Sequence, residues 1–285
     1  MKMPKFEYAR PSSVEEAVQL LAKNDGAKIV SGGQSLLPIL AFRLNYPSLL
    51  VDLRDIKGLS NIDISEEGVK LGARVRWVQI EEDQNLATAH PLLVSMISNV
   101  AHYQIRNRGT VGGSLSHGDP AAEMPGLSVT CECTLTIVGS NGERQVPASE
   151  FYTGALETVL EPDEILTQVR FPHWPPGRKW GFEEFSHRKG DFAIAGVAVF
   201  YDLSSVGVIE NAHVGVIGAA STPIRLAPVE GRLNGSALSE ELIAEMVELG
   251  AASVDPQDDA QISSDYRRSL VGTLLGRVLR SSMSC

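Results

Sequence analysis

Two stretches of this sequence combine residue types that can grip a ligand. One is Ala27-Lys28-Ile29-Val30-Ser31-Gly32-Gly33-Gln34-Ser35-Leu36-Leu37-Pro38. The other is Thr110-Val111-Gly112-Gly113-Ser114-Leu115-Ser116-His117-Gly118-Asp119-Pro120. Each is an apolar run that breaks into a Gly-Gly pair followed by a small polar residue. Glycine admits positive φ and lets a ligand come close. Successive backbone N–H groups in such a turn form a cup for an anion, and the serines and Thr110 add hydroxyl donors. Two anion cups in one domain suit a ligand with two linked phosphates, a dinucleotide, held without the G-x-G-x-x-G pattern. Taken singly, each Gly-Gly pair is equally well an ordinary tight turn.

Taken together, the two are more specific. Lys28 to Leu36 and His102-Tyr103-Gln104-Ile105-Arg106-Asn107-Arg108-Gly109-Thr110-Val111-Gly112-Gly113-Ser114 resemble the FAD-binding medium subunit of molybdenum hydroxylases, the carbon monoxide dehydrogenase and xanthine dehydrogenase type. The resemblance covers nearly the whole chain. It implies FAD as cofactor and an FAD site drawn from Lys28, Ile29, Val30, Ser31, Gly32, Gly33, Gln34, Ser35 and Leu36 in the first stretch. From the second it takes Thr110, Val111, Gly112, Gly113, Ser114, His117 and Asp119. It places Ala101 and His102 near the flavin end and adds Ile165. Glu123 stands where the family usually has Asp, whose carboxylate serves a ribose hydroxyl or the ribityl chain. A carboxylate at a helix start is otherwise ordinary, because it suits the helix dipole.

The segment His187-Arg188-Lys189-Gly190-Asp191-Phe192 resembles the family motif that reaches from the C-terminal domain to the flavin edge. Phe192 replaces a frequent tyrosine, keeping the ring and losing the hydroxyl; a core position is the other reading. Lys189 is either a solvated turn charge or a neighbour of the flavin. Arg106 and Arg108 read equally as phosphate ligands or as ion-pair partners in a buried loop. No catalytic residue is assigned, because the isoalloxazine supplies the redox chemistry and the protein supplies position and electrostatics.

Composition bounds the function. The chain has 285 residues, 43% of them hydrophobic, and 25 basic against 35 acidic residues give a formal charge of -10. That balance argues against a nucleic-acid surface, which would show a basic patch. No apolar h-region follows Met1-Lys2-Met3-Pro4-Lys5, and no run of 18 or more apolar residues suggests a membrane span. The cytoplasm is the natural compartment. Of the three cysteines, Cys131 and Cys133 alternate within an apparent strand and are read as sharing its buried face; Cys285 is terminal. One CxC pair supplies two ligands, whereas zinc and iron–sulfur sites usually want four.

The chain therefore has no [2Fe-2S] motif and no length for a molybdopterin domain, as expected of one subunit of a split enzyme. The resemblance implies a small partner with two [2Fe-2S] clusters and a large partner with the molybdenum cofactor, in a dimer of heterotrimers. FAD would then pass electrons from the clusters to an external acceptor. Two other readings compete. One is a stand-alone flavin oxidase of the vanillyl-alcohol type, for which the roughly 108 residues after the first domain are few. The other is a non-enzymatic dinucleotide-binding scaffold, which the two intact glycine pairs argue against.

The elements that position these residues follow from periodicity and turn signals. Ser12 or Ser13 caps a helix with Val14, Ala17, Val18, Leu20 and Leu21 at helical spacing. Flanking strands at Phe6–Ala9, Lys28–Val30 and Leu49–Leu53 complete a small α/β lobe. Ile62–Ile64 and Val69–Ala73 form a hairpin. Helices begin at Val78 and at His90, the latter running to Val100 or Tyr103. A short helix starts at Pro120–Gly126, and Cys131–Val138 and Ile165–Phe171 are strands. Pro172, Pro175, Pro176 and Gly177 mark a boundary. Beyond it, strands at Gly181–Ser186, Ala193–Asp202 and Ile209–Val216 and helices at Leu238–Ala251 and Asp265–Leu279 suggest an antiparallel sheet with helices on one face. The last helix is either a place for contact with a neighbouring subunit or a plain terminal amphipathic helix.

The expected fold class is α+β: a two-lobed FAD-binding domain of the vanillyl-alcohol-oxidase (PCMH) type over residues 1–177, with lobes at about 1–57 and 58–177. A smaller α/β C-terminal domain follows over 178–285, of the CO dehydrogenase flavoprotein type.

Overall fold

In the computed structural model, which describes residues 3–283, the first lobe is β1 (Glu7–Ala9), α1 (Val14–Lys23), β2 (Lys28–Val30), α2 (Leu36–Ala41) and β3 (Leu49–Asp52). The strands are parallel in the order β1-β3-β2, as expected where helices make the crossovers. The Ser13 hydroxyl accepts the Glu16 amide at 3.2 Å while the Glu16 carboxylate accepts from the Ser12 amide at 2.7 Å. Such reciprocal capping satisfies donors that a helix start leaves open. Ala17, Val18 and Leu21 then bury one stripe of α1 against Leu49, Val51 and Leu53. Asp52 is buried at the end of β3 and accepts from the Tyr8 hydroxyl at 2.7 Å and from the Arg54 amide at 2.9 Å. Burial alone would raise its pKa; the hydrogen bonds from Arg54 and Tyr8 outweigh it and hold the carboxyl below its ordinary range.

The second lobe follows with β4 (Ile62–Ser65), β5 (Gly68–Gly72), α3 (Trp77–Glu82), α4 (Gln84–Ala89), α5 (Pro91–Ile97), α6 (Tyr103–Arg106), α7 (Val111–His117) and α8 (Glu123–Thr130). Then come β6 (Thr134–Gly139), β7 (Gly142–Pro147), α9 (Ala148–Phe151), β8 (Tyr152–Gly154), β9 (Glu157–Thr158) and β10 (Ile165–Pro172). The antiparallel sheet has the order β4-β5-β10-β6-β7, so the last strand closes its centre. Leu71, Val169, Phe171 and Leu135 from the sheet meet Leu93, Met96, Leu115 and Leu127 from the helices in one core.

Two sequence expectations change here. The helix after His90 ends at Ile97, and α6 is a separate turn. The CxC pair is buried but not on a sheet face. Cys131 caps α8 and Cys133 precedes β6, because α8 runs on through Leu127–Thr130. Burial pushes both thiols up. Cys285 lies outside the described residues.

The C-terminal unit has β11 (Lys179–Phe185), β12 (Ala195–Leu203), β13 (Ile209–Ile217), β14 (Ile224–Arg225), α10 (Ala227–Leu233), α11 (Glu240–Ala252) and α12 (Ser264–Ser282). Its sheet is an antiparallel meander in that strand order. Strand alternation gives it two different faces. Val197, Val199 and Tyr201 join Ile243, Met246 and Leu275 of the helices. Ala198 and Phe200, with Trp180 and Phe182, join the core of the second lobe instead. The helices thus cover one face, as expected, and the second lobe covers the other. This is why β12 is buried from Ala195 to Tyr201. Arg178 rivets the junction: its guanidinium lies 5.0 Å from the Trp174 ring and 4.7 Å from Phe200, and pairs with Asp202 at 2.8 Å. The molecule is a two-domain α+β protein with a two-lobed first domain. Among the described residues no helix is long and apolar enough to cross a membrane.

Candidate cofactor site

The first glycine stretch leaves β2 at its carboxyl end. Lys28 is exposed, Ile29 packs toward α1, and Val30 is buried with Leu40 and Leu50, while Leu36 and Leu37 press on the same small cluster. Between these anchors, Ser31 to Ser35 form an irregular loop. Gly33 has φ +73, a backbone region open to glycine at no steric cost. A side chain on Gly32 would run into the Arg108 carbonyl of the second lobe. Among the described residues, none of the amides of Gly32, Gly33, Gln34 and Ser35 donates to another group of the chain; the Gln34 side chain instead donates to the Gly32 carbonyl at 3.1 Å. Four successive N–H groups are thus left unpaired, though Gly32 is itself buried, and unpaired successive amides are the donor set an anion needs.

The second pair is built differently, and the expectation of two equivalent anion cups is corrected. Gly112 and Gly113 lie in the first turn of α7, not in an open turn. Their neighbours' amides are already used: Val111 donates to Val75 at 2.9 Å, Gly112 to Ala73 at 2.8 Å and Ser114 to Thr110 at 3.0 Å. Gly113 donates to the Thr110 hydroxyl at 3.2 Å. A side chain on Gly112 would stand 2.5 Å from Ala73 Cβ, so this glycine serves packing. Gly113 is exposed and would meet only Thr110 Oγ1, at 2.7 Å. What this stretch presents outward is therefore the Gly113 backbone and Ser116, with Ser114 and His117 half-buried beside them. The Thr110 hydroxyl also donates to Ser31 Oγ at 3.1 Å, which joins the two motifs across the seam between the lobes.

Past α7, Gly118 turns the chain in the left-handed region after His117, and Asp119 accepts the Ala121 amide at 2.9 Å. Glu123, the first residue of α8, is buried. Burial, and then the nearby Asp119, push its carboxyl up to about 7. Ile165 is 1% exposed in the core of the first lobe and opens β10 opposite Val138 of β6, so its side chain is not presented to a ligand.

The remaining residues meet at a second contact. Ala101 takes φ +44, and a side chain on Gly190 would come within 2.7 Å of its carbonyl oxygen. The loop that carries Lys189 and Phe192 therefore rests on the segment that carries Ala101 and His102. Lys189 and His102 are exposed, and Phe192, 64% exposed, is no core residue. Arg106 fixes this segment through the Val100 and Ala101 carbonyls, at 3.0 and 3.1 Å, and pairs with Glu81 at 2.8 Å. The ion-pair reading of Arg106 holds. Sequence reading passed over Glu184, whose Oε2 is buried without a hydrogen-bond partner among the described residues. Its signal is the period-two row Trp180, Phe182, Glu184 on β11.

The donor set fits a diphosphate-containing dinucleotide: open amides meet the charge, and no lysine is needed for it.

Comparison with known proteins agrees with that chemistry. Residues 4–174 match the family model described as the FAD binding domain in molybdopterin dehydrogenase. Residues 180–282 match the CO dehydrogenase flavoprotein C-terminal domain. The chain is 38% identical over 284 residues to the 6-hydroxypseudooxynicotine dehydrogenase complex subunit alpha of Paenarthrobacter nicotinovorans, covering 99% of this chain and 96% of that one. It is 32% identical to the carbon monoxide dehydrogenase medium chain of Hydrogenophaga pseudoflava, covering 98% and 97%. A crystal structure of quinoline 2-oxidoreductase from Pseudomonas putida 86 superposes with a TM-score of 0.95 at 37% identity, covering 100% of this chain and 99% of that chain.

Proposed function

Because this chain belongs to the FAD-binding medium subunits of the molybdenum hydroxylases, the flavoprotein subunits of oxidoreductase complexes, we propose that its interlobe seam holds one noncovalent FAD. The four open amides of Gly32 to Ser35 support this most directly. They would take the diphosphate, with hydroxyls from Ser31, Thr110 and Ser114 beside them. His117, Asp119 and Glu123 would line the polyol region. Ala101, His102, Lys189 and Phe192 would border the ring. Lys28, Ile29, Val30, Leu36, Val111, Gly112 and Ile165 would shape the walls, chiefly through backbone and packing. When bound, the isoalloxazine accepts electrons singly and releases them in pairs. The chain's own residues bind and orient it, and the aromatic face of Phe192 limits access to one end.

The chain is an electron-transfer subunit, and its partners in this proposal are a small subunit with two [2Fe-2S] clusters and a large subunit with the molybdenum cofactor. These assemble as a dimer of heterotrimers in the cytoplasm. The first domain spans 1–177, with lobes at about 1–57 and 58–177, and the second 178–285. Of the compatible organic substrates, the likeness to the 6-hydroxypseudooxynicotine and quinoline proteins favours an N-heteroaromatic compound, oxidised in the large partner.

Flavin released by denaturing the purified complex should chromatograph as FAD at one per chain; FMN, or flavin left on the precipitated protein, contradicts the proposed site. In stopped-flow absorbance, organic substrate should bleach the flavin only when the partner chains are present. Fast bleaching of this chain alone would revive the stand-alone oxidase.

A further inference from the structure

The five-stranded sheet of the second lobe has one face in the core and one turned outward, as antiparallel sheets commonly do. Val69 and Leu71 of β5, Val169 and Phe171 of β10, and Leu135 and Ile137 of β6 supply the core face. Alternation sends Lys70, Arg170, Thr134 and Thr136 to the other side. The first lobe covers one end of that outer face, where Ile165 and Val138 join the core built on α1. Beyond it lies a recess of about 240 Å³, lined by Lys70, Arg170, Thr134, Thr136, Gln145 and Gln168.

Register sets the two cations side by side. Arg170 stands directly opposite Lys70 on one flank and Thr134 on the other. Like charges directly opposite each other destabilise a sheet. Both side chains are half-buried, and neither makes a hydrogen bond or ion pair among the described residues. Other half-buried arginines spend their guanidinium within the chain: Arg106 on Glu81, Arg144 on Glu164, Arg178 on Asp202 and Arg225 on Glu230. Arg170 keeps its whole planar fork of donors, a shape matched to a carboxylate. Two acids stand on the β4 side. Asp63 is in register with Lys70, and Glu67 rims the recess from the β4–β5 turn. Neither pairs with a cation among the described residues, so the cationic pole lies toward β10 and β6.

We propose that this face is an interaction surface for another chain of the assembled complex, whose aspartate or glutamate side chain enters the recess and is held by Arg170 and Lys70. Charge complementarity selects this occupant: the chain is acidic overall, with 35 acidic against 25 basic residues, and here it presents two cations without a counter-ion. Arginine is also a frequent anchor of protein interfaces. The inference rests on the reading of this chain as one subunit of a larger enzyme.

Two measurements on the complex, purified through a tag on this chain, test it. A carbodiimide joins a lysine amine to a carboxylate in contact with it. Mass spectrometry of the treated complex should find Lys70 joined to an aspartate or glutamate of another chain; linkage to Asp63 or Glu67 alone overturns the inference. Dilution series then compare dissociation of the unmodified complex with Arg170→Ala and Arg170→Lys. Arg170→Ala should raise the dissociation constant by about thirtyfold, the order of a hot-spot truncation, with a smaller difference at high salt. Arg170→Lys, which keeps the charge, should restore part of the affinity. Flavin content and circular dichroism should not change, because Arg170 bonds nothing in its own chain. Unchanged dissociation in Arg170→Ala overturns the inference, and so does weakening that comes with lost flavin and lost helical signal, which marks a structural residue. An unmodified chain that purifies without partners removes the subunit reading and this inference together, whereas partners retained equally by every variant remove this inference alone.

Discussion

The glycines of each pair have divided tasks. Gly32 and Gly112 let protein approach protein, at Arg108 and Ala73 respectively, whereas Gly33 supplies a turn and Gly113 an exposed backbone. Substitutions should separate these tasks. Gly32→Ala should lower stability by about 1–3 kcal/mol, the usual range for overpacking, because the Arg108 backbone must move. Gly113→Ala should cost less stability than Gly32→Ala and reduce bound flavin, since its methyl crowds only the Thr110 hydroxyl, a side-chain atom that can turn, and no backbone. Thermal melts of flavin-free protein, beside flavin content by absorbance, measure both. Equal loss of stability in the two variants contradicts this division. The resemblance counts Val111 and Gly112 among the site residues, yet their amides are committed to Val75 and Ala73. A motif records which residues are adjacent in sequence and not which donors the fold has already used.

Among the elements, α5 shows how one residue can do several jobs. His90 caps it, accepting the Leu93 amide on Nδ1 at 3.2 Å, and its ring lies 5.2 Å from Phe171 and 4.4 Å from Trp174. Burial, and then the Arg178 charge, lower its pKa from 6.5 to about 3. The unfolded chain therefore takes up a proton below about pH 6.5, while the native imidazole stays neutral until about pH 3. Stability linked to this group is fully present above 6.5 and falls as the pH falls toward 3. Replacing His90 by Asn keeps a good capping side chain and removes the titration. Denaturant unfolding at a series of pH values should show a shallower acid decline for His90→Asn than for the unmodified protein; parallel declines would show that other groups govern this limb. The sequence placed the start of this helix at His90 but extended its end to Val100 or Tyr103. The helix stops at Ser98, and the chain turns on through Asn99 to Ala101 at φ +44 before α6 begins.

For the whole molecule, the interface between the two domains behaves as a continuation of the second lobe's core. Phe200 stacks on His213 at 4.3 Å, and the His213 ring bonds the Thr130 carbonyl at 2.9 Å. Arg178 closes this contact through Asp202. Arg178→Leu should therefore cost about 3 kcal/mol, the low end for breaking a buried pair, because Asp202 keeps part of its surface in water. The loss should appear as one cooperative transition at a lower temperature, the two domains melting together. Calorimetry resolving two separate transitions in the unmodified protein would contradict a shared core.

The sequence by itself carried the family resemblance, FAD as the cofactor and the α/β character of the first lobe, and it marked out the two glycine stretches. Each of these is written in local order: a helix cap at Ser13, a β-α-β alternation, a glycine pair after an apolar strand. It also carried the antiparallel C-terminal sheet, through the period-two strands around Val199 and Val214. The tertiary structure alone decided that the first pair keeps its amides open while the second spends them, because that depends on Ala73 and Val75 arriving from a different part of the chain. It decided that the second face of the C-terminal sheet is covered by α8, and that Ala101 meets Gly190. It also turned Phe192 outward and left Glu184 with a buried oxygen to satisfy. These outcomes rest on contacts between residues far apart in sequence. Hydrophobic periodicity marks such faces as buried, but which surface buries them is fixed only when the chain packs.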